Sequence, residues 1–466
     1  MPPPAAWATA YRAKVTTPAG AVSRVRSGHR VYIHPGAAEP NGLVQALIER
    51  AGELRGVEII HLLTLGEAGY VRPGLEDSFR HVAFFVGANV REAVNSGRAD
   101  YIPIALSEVS GLFRPGGLPI DVCLIQVSPP DEHGFCSFGV GVDCTKAAAD
   151  SAGTVIAEVN ERMPRTLGDS FIHVRKLDVI VETSRPLLEL PHRPATDLNR
   201  AIARNASELI EDGATLQVGI GGIPDAILNS LADRRDLGIH TEMFSDGVMD
   251  LVEQGVVTNE RKTLHRGKII AGFLMGSSRL YEFAHDNPVI ELHPSEYTNN
   301  PFVIAANERM VAINSGLQVD LTGQVCADSL GTRIYSGVGG QSDFIRGAAR
   351  SAGGKPIIAL PSTARGGAVS RIAPVLDPGA GVVTLRSDVD YVVTEFGVAR
   401  LRGKSLRQRA EALLAIAHPD FQQELLDFAV THHYLDRVPR PRAAEPAKPP
   451  IRSQEVQPCA RNPSRS

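Results

Sequence analysis

Short runs of β-branched and aliphatic residues, closed by glycine or proline and followed by stretches of helical spacing, recur along most of this chain. Val31-Tyr32-Ile33, Val57 to Leu63, Val82 to Val86 and Val122 to Val127 are examples. Runs this short, with little polar alternation, suit strands covered on both faces, the condition of a parallel sheet flanked by helices. The pattern predicts an α/β fold with mainly parallel sheets. Active sites in such sheets lie beyond the carboxyl ends of the strands.

At 466 residues the chain exceeds what one core organises, so two α/β domains are expected. The Pro-rich stretch Arg185 to Pro194 precedes a helical pattern that opens at Asp197 and runs through Ile210, which puts the boundary near residue 195. Residues 1–195 then form the N-terminal domain and 196–436 the C-terminal one. From Arg437 the text turns Pro-, Arg- and Ala-rich, with few apolar side chains to offset the entropy of ordering, and 437–466 is expected to be a disordered tail.

A hydrophobic fraction of 43%, a charged fraction of 21% and a formal net charge of −4 describe an ordinary globular protein with no nucleic-acid footprint. The five cysteines, Cys123, Cys136, Cys144, Cys326 and Cys459, lack the close pairing of a zinc or CxxC motif, which fits a reduced, cytoplasmic setting. Met1 to Trp7 has no basic region leading into an apolar stretch, and no run of 18 apolar residues follows, so neither secretion nor membrane spanning is expected.

The chemistry concentrates in the second half. The strand-like Ala214 to Val218 enters Gly219-Ile220-Gly221-Gly222-Ile223-Pro224, and His240-Thr241-Glu242-Met243-Phe244-Ser245-Asp246-Gly247 follows. Glycines let backbone N–H groups come close to a ligand oxygen, while a carboxylate among apolar neighbours can serve as acid, base or nucleophile. A second glycine loop, Gly337-Val338-Gly339-Gly340, also follows a strand-like segment. Each loop reads equally as a plain strand-to-helix turn, and one glutamate among 52 acidic residues is ordinarily a surface group.

Several ordered motifs narrow the reading. His240 to Gly247, Ser336 to Phe344, Tyr391 to Ala399 with Leu401-Arg402-Gly403, Asn160-Glu161-Arg162-Met163-Pro164-Arg165-Thr166 and Ala417 to Phe421 resemble, in order, the acetyl-CoA hydrolase/transferase family. Within it they look most like the 4-hydroxybutyrate CoA-transferase branch. The resemblance implies an active site in the cleft between the two domains, with Glu242 as the nucleophile. It also implies that Gly219, Ile220, Gly221, Gly222, Ile223, Gly337, Gly339 and Gly340 form the walls against coenzyme A. The reaction implied is exchange of CoA between acetyl-CoA and a short carboxylic acid through a glutamyl-CoA thioester. Coenzyme A enters as substrate, with no tightly bound cofactor and no metal, and subunits are expected to associate as a homo-oligomer. The alternatives are a hydrolase using the same glutamate and a non-catalytic acyl-CoA-binding protein.

Asn160 reads either as a substrate contact reaching the cleft or as a loop or cap residue. Asp246 and Glu395 are candidates for supporting polar roles, with a structural role favoured. His418-Pro419-Asp420 and His432-His433 tempt a metal or triad reading, but HExxH, GxSxG and paired Cys/His spacings are absent. Lys355 after Gly353-Gly354 lacks the order of a phosphate loop and reads best as a surface lysine at a strand entrance.

Overall fold

The computed structural model describes residues 6–114, 116–190 and 194–436, so the tail expectation for 437–466 lies outside the described residues. Two large sheets carry the fold. The first has seven strands, ordered Val179–Thr183, Thr154–Asn160, Val122–Val127, Arg30–Ile33, Val57–His61, Phe79–Ala83 and Ala99–Tyr101, and every pairing in it is parallel. The run Val122 to Val127, apolar but for Gln126, is buried at every residue, as a strand in the middle of a covered parallel sheet must be.

The second sheet has nine strands. Thr215–Val218 lies between Met310–Asn314 and Gly238–Phe244; beyond the latter come Ile269–Leu274 and Ile290–Leu292. On the other side follow Lys355–Ala359, Tyr391–Thr394 and Gly397–Arg400, the last two an antiparallel hairpin. The outermost strand, Leu167–Gly168, comes from the chain ahead of residue 195 and pairs in parallel with Ile290–Leu292.

Each sheet reverses its strand order once. In the first the reversal falls between Arg30–Ile33 and Val122–Val127, in the second between Thr215–Val218 and Met310–Asn314. Loops leaving adjacent strands in opposite directions open a crevice at the carboxyl ends of such a pair. A buried apolar cluster containing Tyr32, Ile125 and Val127 of the first sheet and Leu216, Ile239 and Ile313 of the second is continuous between the two.

Candidate active site

Both crevices open into one cavity of about 410 Å³. Pro35, Gly36 and Ala37, just past Arg30–Ile33, line one side together with Leu62 and Phe85; Gly219, Ile220 and Asn314 to Leu317 line the other. Glu242 enters it from Gly238–Phe244, two residues before that strand ends. Opposite Glu242, the carbonyl of Gly272 accepts from the Val142 and Asp143 amides at 3.1 and 3.2 Å, so the N-terminal half reaches into the second sheet beside the carboxylate.

Burial and four neighbouring groups set the state of Glu242. Burial pushes its carboxyl up to about 7, and the neighbouring Asp343 and Asp143 add to the rise; the Asn299 amide and the Gly340 N–H hydrogen bond it and act against both. Asn299 Nδ2 donates to Glu242 Oε2 at 2.7 Å. Gly340 is the N-cap of the helix Gln341–Arg350, so the carboxylate faces a positive helix end. A Cβ at Gly340 would overlap both Glu242 Oε2 and Asn299 Nδ2, and only glycine fits there. Asp343, in the first turn of the same helix, accepts from Ser107 Oγ at 2.8 Å and Ser107 N at 3.1 Å; burial raises its carboxyl to about 6.

The second glycine loop is strapped to the first sheet's side of the cavity. Leu106 N donates to Gly339 O at 3.0 Å, Val86 N to Ser336 O at 3.2 Å, and Val338 N to the Tyr101 hydroxyl at 3.2 Å. Gly337 lies where a Cβ would stand 3.0 Å from the Phe85 ring, and Gly339 turns at φ +54°. His240, the first residue of the His-Thr-Glu motif, is fully buried, and burial drops its imidazole to about 3. Neutral, it donates from Nε2 to the Thr298 carbonyl at 2.8 Å, holding the residue beside Asn299.

The sequence candidates therefore divide. Gly219, Ile220, Glu242, Gly337, Gly339 and Gly340 meet around one cavity. Gly221, Gly222 and Ile223 lie outside its lining. Gly221 caps the helix Gly222–Asn229 at φ +115°, and a Cβ on Gly222 would overlap the Asn199 amide, a close helix contact. Asn160 is also outside it and fully buried. Its Nδ2 donates to Gln126 Oε1 at 2.6 Å and to Arg185 O at 2.8 Å, and its Oδ1 accepts from Arg162 N at 3.0 Å and Arg185 N at 3.1 Å. Those bonds make it a clamp on the strand end, the structural one of its two readings.

Asp246, Glu395, Lys355 and His418 take structural partners. Asp246 binds Ser277, Glu395 binds Ser362 through its backbone N at 2.9 Å, Lys355 pairs with Glu211 at 2.6 Å, and His418 caps the helix Pro419–Thr431. Asn299, Asp343 and Arg371 escaped the sequence reading; Arg371 lines the cavity. Asn299 sits in an Asn-Asn-Pro segment whose local signal is only that of a turn.

Comparison with known proteins places this arrangement. The acetyl-CoA hydrolase/transferase N-terminal domain matches residues 5–189 and the corresponding C-terminal domain residues 276–429. A 4-hydroxybutyrate coenzyme A transferase of Clostridium kluyveri is 56% identical over 421 residues, 90% of this chain and 98% of that protein. A succinyl-CoA:acetate/propanoyl-CoA:succinate CoA transferase of Fasciola hepatica is 47% identical over 406 residues, 86% of this chain and 84% of its own length. The crystal structure of a 4-hydroxybutyrate CoA-transferase from Porphyromonas gingivalis superposes with a TM-score of 0.79 at 44% identity, covering 91% of this chain and all of its own. With both domains matched and relatives this similar over most of their length, the chain belongs to the acetyl-CoA hydrolase/transferase family.

Proposed function

We propose that this protein is a CoA-transferase that moves CoA between acetyl-CoA and a short-chain carboxylate such as 4-hydroxybutyrate or butyrate, with Glu242 as the covalent relay. The observation that carries the reading is the Glu242 carboxylate itself, gripped by Asn299 on Oε2 and set at a helix end inside a cavity bounded by both sheets. The names of the relatives, transferases of hydroxybutyrate and of succinate, support transfer over hydrolysis.

In this reading Glu242 Oε1, the oxygen not held by Asn299, attacks the acetyl-CoA carbonyl carbon. The C–S bond breaks, and the CoA thiolate leaves behind an acetyl-glutamyl anhydride. The thiolate then adds to the glutamyl carbonyl carbon, expelling acetate and leaving CoA on Glu242 as a thioester. The incoming carboxylate displaces the thiolate to form a second anhydride, and the thiolate attacks its acyl carbonyl, which releases the new acyl-CoA and restores the carboxylate. When charge develops on the glutamyl oxygen, the Asn299 amide and the Gly340 N–H stand beside it already oriented. The apolar walls, Leu62, Phe85 and Phe273 among them, suit a chemistry that fails if water reaches the anhydride.

Four buried free thiols, Cys123, Cys136, Cys144 and Cys326, agree with a reducing cytoplasm, and no described helix is long and apolar enough to cross a membrane. A homo-oligomer completes the proposal, to be checked by light scattering of the purified protein. The activity test is incubation with acetyl-CoA, with and without 4-hydroxybutyrate, butyrate or propionate, followed by mass spectrometry, with Glu242→Gln as control. Acceptor-dependent new acyl-CoA that disappears in the variant is the expected result. Free CoA released without acceptor points to hydrolysis instead, and CoA bound with no turnover points to a binding protein.

A further inference from the structure

Along the second sheet from the Glu242 strand, around Ile269–Leu274 and Ile290–Leu292, three segments bring metal-ligating side chains together. His265 comes from the loop before Ile269–Leu274, Glu291 from Ile290–Leu292, and His293 from the residue just past that strand; their ligand atoms all lie within 4.8 Å of one another. None of the three lines the Glu242 cavity. We propose that His265 Nδ1, His293 Nε2 and Glu291 Oε2 bind one zinc-class divalent cation per chain, with water in the fourth position.

The separations favour ligands over a simple hydrogen-bonded trio. His265 Nδ1 stands 3.3 Å and His293 Nε2 3.4 Å from the same oxygen, Glu291 Oε2. Charge-assisted N–H···O bonds close to about 2.7–2.9 Å, so both contacts are long as hydrogen bonds. Nitrogen and oxygen ligands about 2.0–2.1 Å from a tetrahedral zinc lie about 3.3 Å apart, the spacing found here. Glu291 Oε1 faces Lys268 at 3.7 Å, which leaves Oε2 to the two imidazoles.

The surroundings supply the orientation such a site needs. His265 Nε2 meets the Tyr297 hydroxyl at 2.5 Å, so with Nδ1 on the cation the Nε2–H donates to the tyrosine oxygen and the tautomer is fixed. His265 is also held at φ +50°, a region seldom taken outside glycine. Two imidazoles and a carboxylate are a borderline donor set that suits zinc better than magnesium or calcium. The role is structural. The cation ties the 265 loop to the end of Ile290–Leu292 and, through Tyr297, to the helix Ser295–Thr298, from which Asn299 reaches Glu242. This departs from the metal-free expectation of the sequence, because His265 and Glu291 lie 26 residues apart and form none of the close spacings of a metal motif.

The test uses full-length protein stripped by a chelator and titrated with Zn²⁺ against a competing chromophoric chelator, with the bound metal counted by mass spectrometry. One zinc per chain is expected, lost in His265→Ala and in His293→Ala, while Tyr297→Phe keeps all three ligands and weakens binding about 10-fold. Co²⁺ in the same protein should give the intense visible band of a four-coordinate ion. The proposal is overturned if stripped wild type takes up no zinc, if the His265→Ala/His293→Ala double variant takes up as much, or if the cobalt spectrum is that of a six-coordinate ion. Because the wild-type count carries the test, a variant that fails to fold does not rescue the idea, and the count is independent of transferase activity.

Discussion

Replacing Asn299 by alanine should change the pH at which the protein works, not merely how fast it works. The amide donates to Glu242 Oε2 at 2.7 Å and so favours the ionised carboxylate against the burial that raises its pKa to about 7. A hydrogen bond to a charged group contributes about 1.5–3 kcal/mol, equivalent to about one to two pH units. Without it the midpoint for Glu242 moves up to about 8–9, and at pH 7 the nucleophilic form becomes about 5- to 50-fold scarcer than in wild type. The assay is kcat/KM for acetyl-CoA at saturating acceptor from about pH 5.5 to about 9.5, since that ratio reports ionisations of the free enzyme. The alkaline plateau should fall as well, by about 100-fold, if the same amide stabilises charge on the glutamyl oxygen. A lower plateau with an unmoved midpoint, or a midpoint shifted downward, would refute the claim that Asn299 holds the carboxylate in its charged form before reaction.

Three further changes test separate parts of the account. Glu242→Gln should gain stability relative to wild type as pH rises. The folded carboxyl, raised from 4.5 to about 7, retains a proton that the unfolded chain gives up, so its contribution is full below about pH 4.5 and lost through pH 7. The difference between variant and wild type should grow by about 3 kcal/mol at most over that window, and urea unfolding of both at each pH measures it. Gly340→Ala should cost about 100-fold in kcat, because its Cβ must push Glu242 or Asn299 aside; steady-state kinetics with circular dichroism as a folding check reads it. Asn160→Ala should cost about 1–3 kcal/mol of stability by stranding the buried Gln126 and Arg185 groups it binds, while kcat/KM of the folded protein stays at the wild-type value.

Glu242 and the glycine loops stood out only through ordered motifs that resemble a known family, since by themselves the residues read equally as turns and a surface carboxylate, and Gly221, Gly222 and Ile223 fall outside the cavity. Gly340 could be picked out by its pattern, but the reason for it, a carboxylate and an amide occupying the space of a Cβ, is a contact across the chain. Asn299 was invisible for the same reason, since it lies 57 residues from the oxygen it binds. Asn160 stood in a matched motif and read either as a substrate contact or as a loop or cap residue; what decides for the latter, the carbonyl and amide groups at the strand end that need a buried partner, is a long-range contact. The parallel strands followed from apolar runs alone. Their order did not, and it is the two order reversals that put the loops of both sheets around one cavity.

The short strand Leu167–Gly168 has a consequence for how the chain assembles. It completes an edge of the second sheet with residues made long before that sheet exists, so the edge beside Ile290–Leu292 is covered only by a segment already committed to the other half. A fragment beginning near residue 196 would expose that edge to other chains and invite aggregation. The same crossing means that pulling the two sheets apart must break a short strand pairing and not just stretch a linker. That ties the Ile290–Leu292 end of the second sheet to a segment folded with the first.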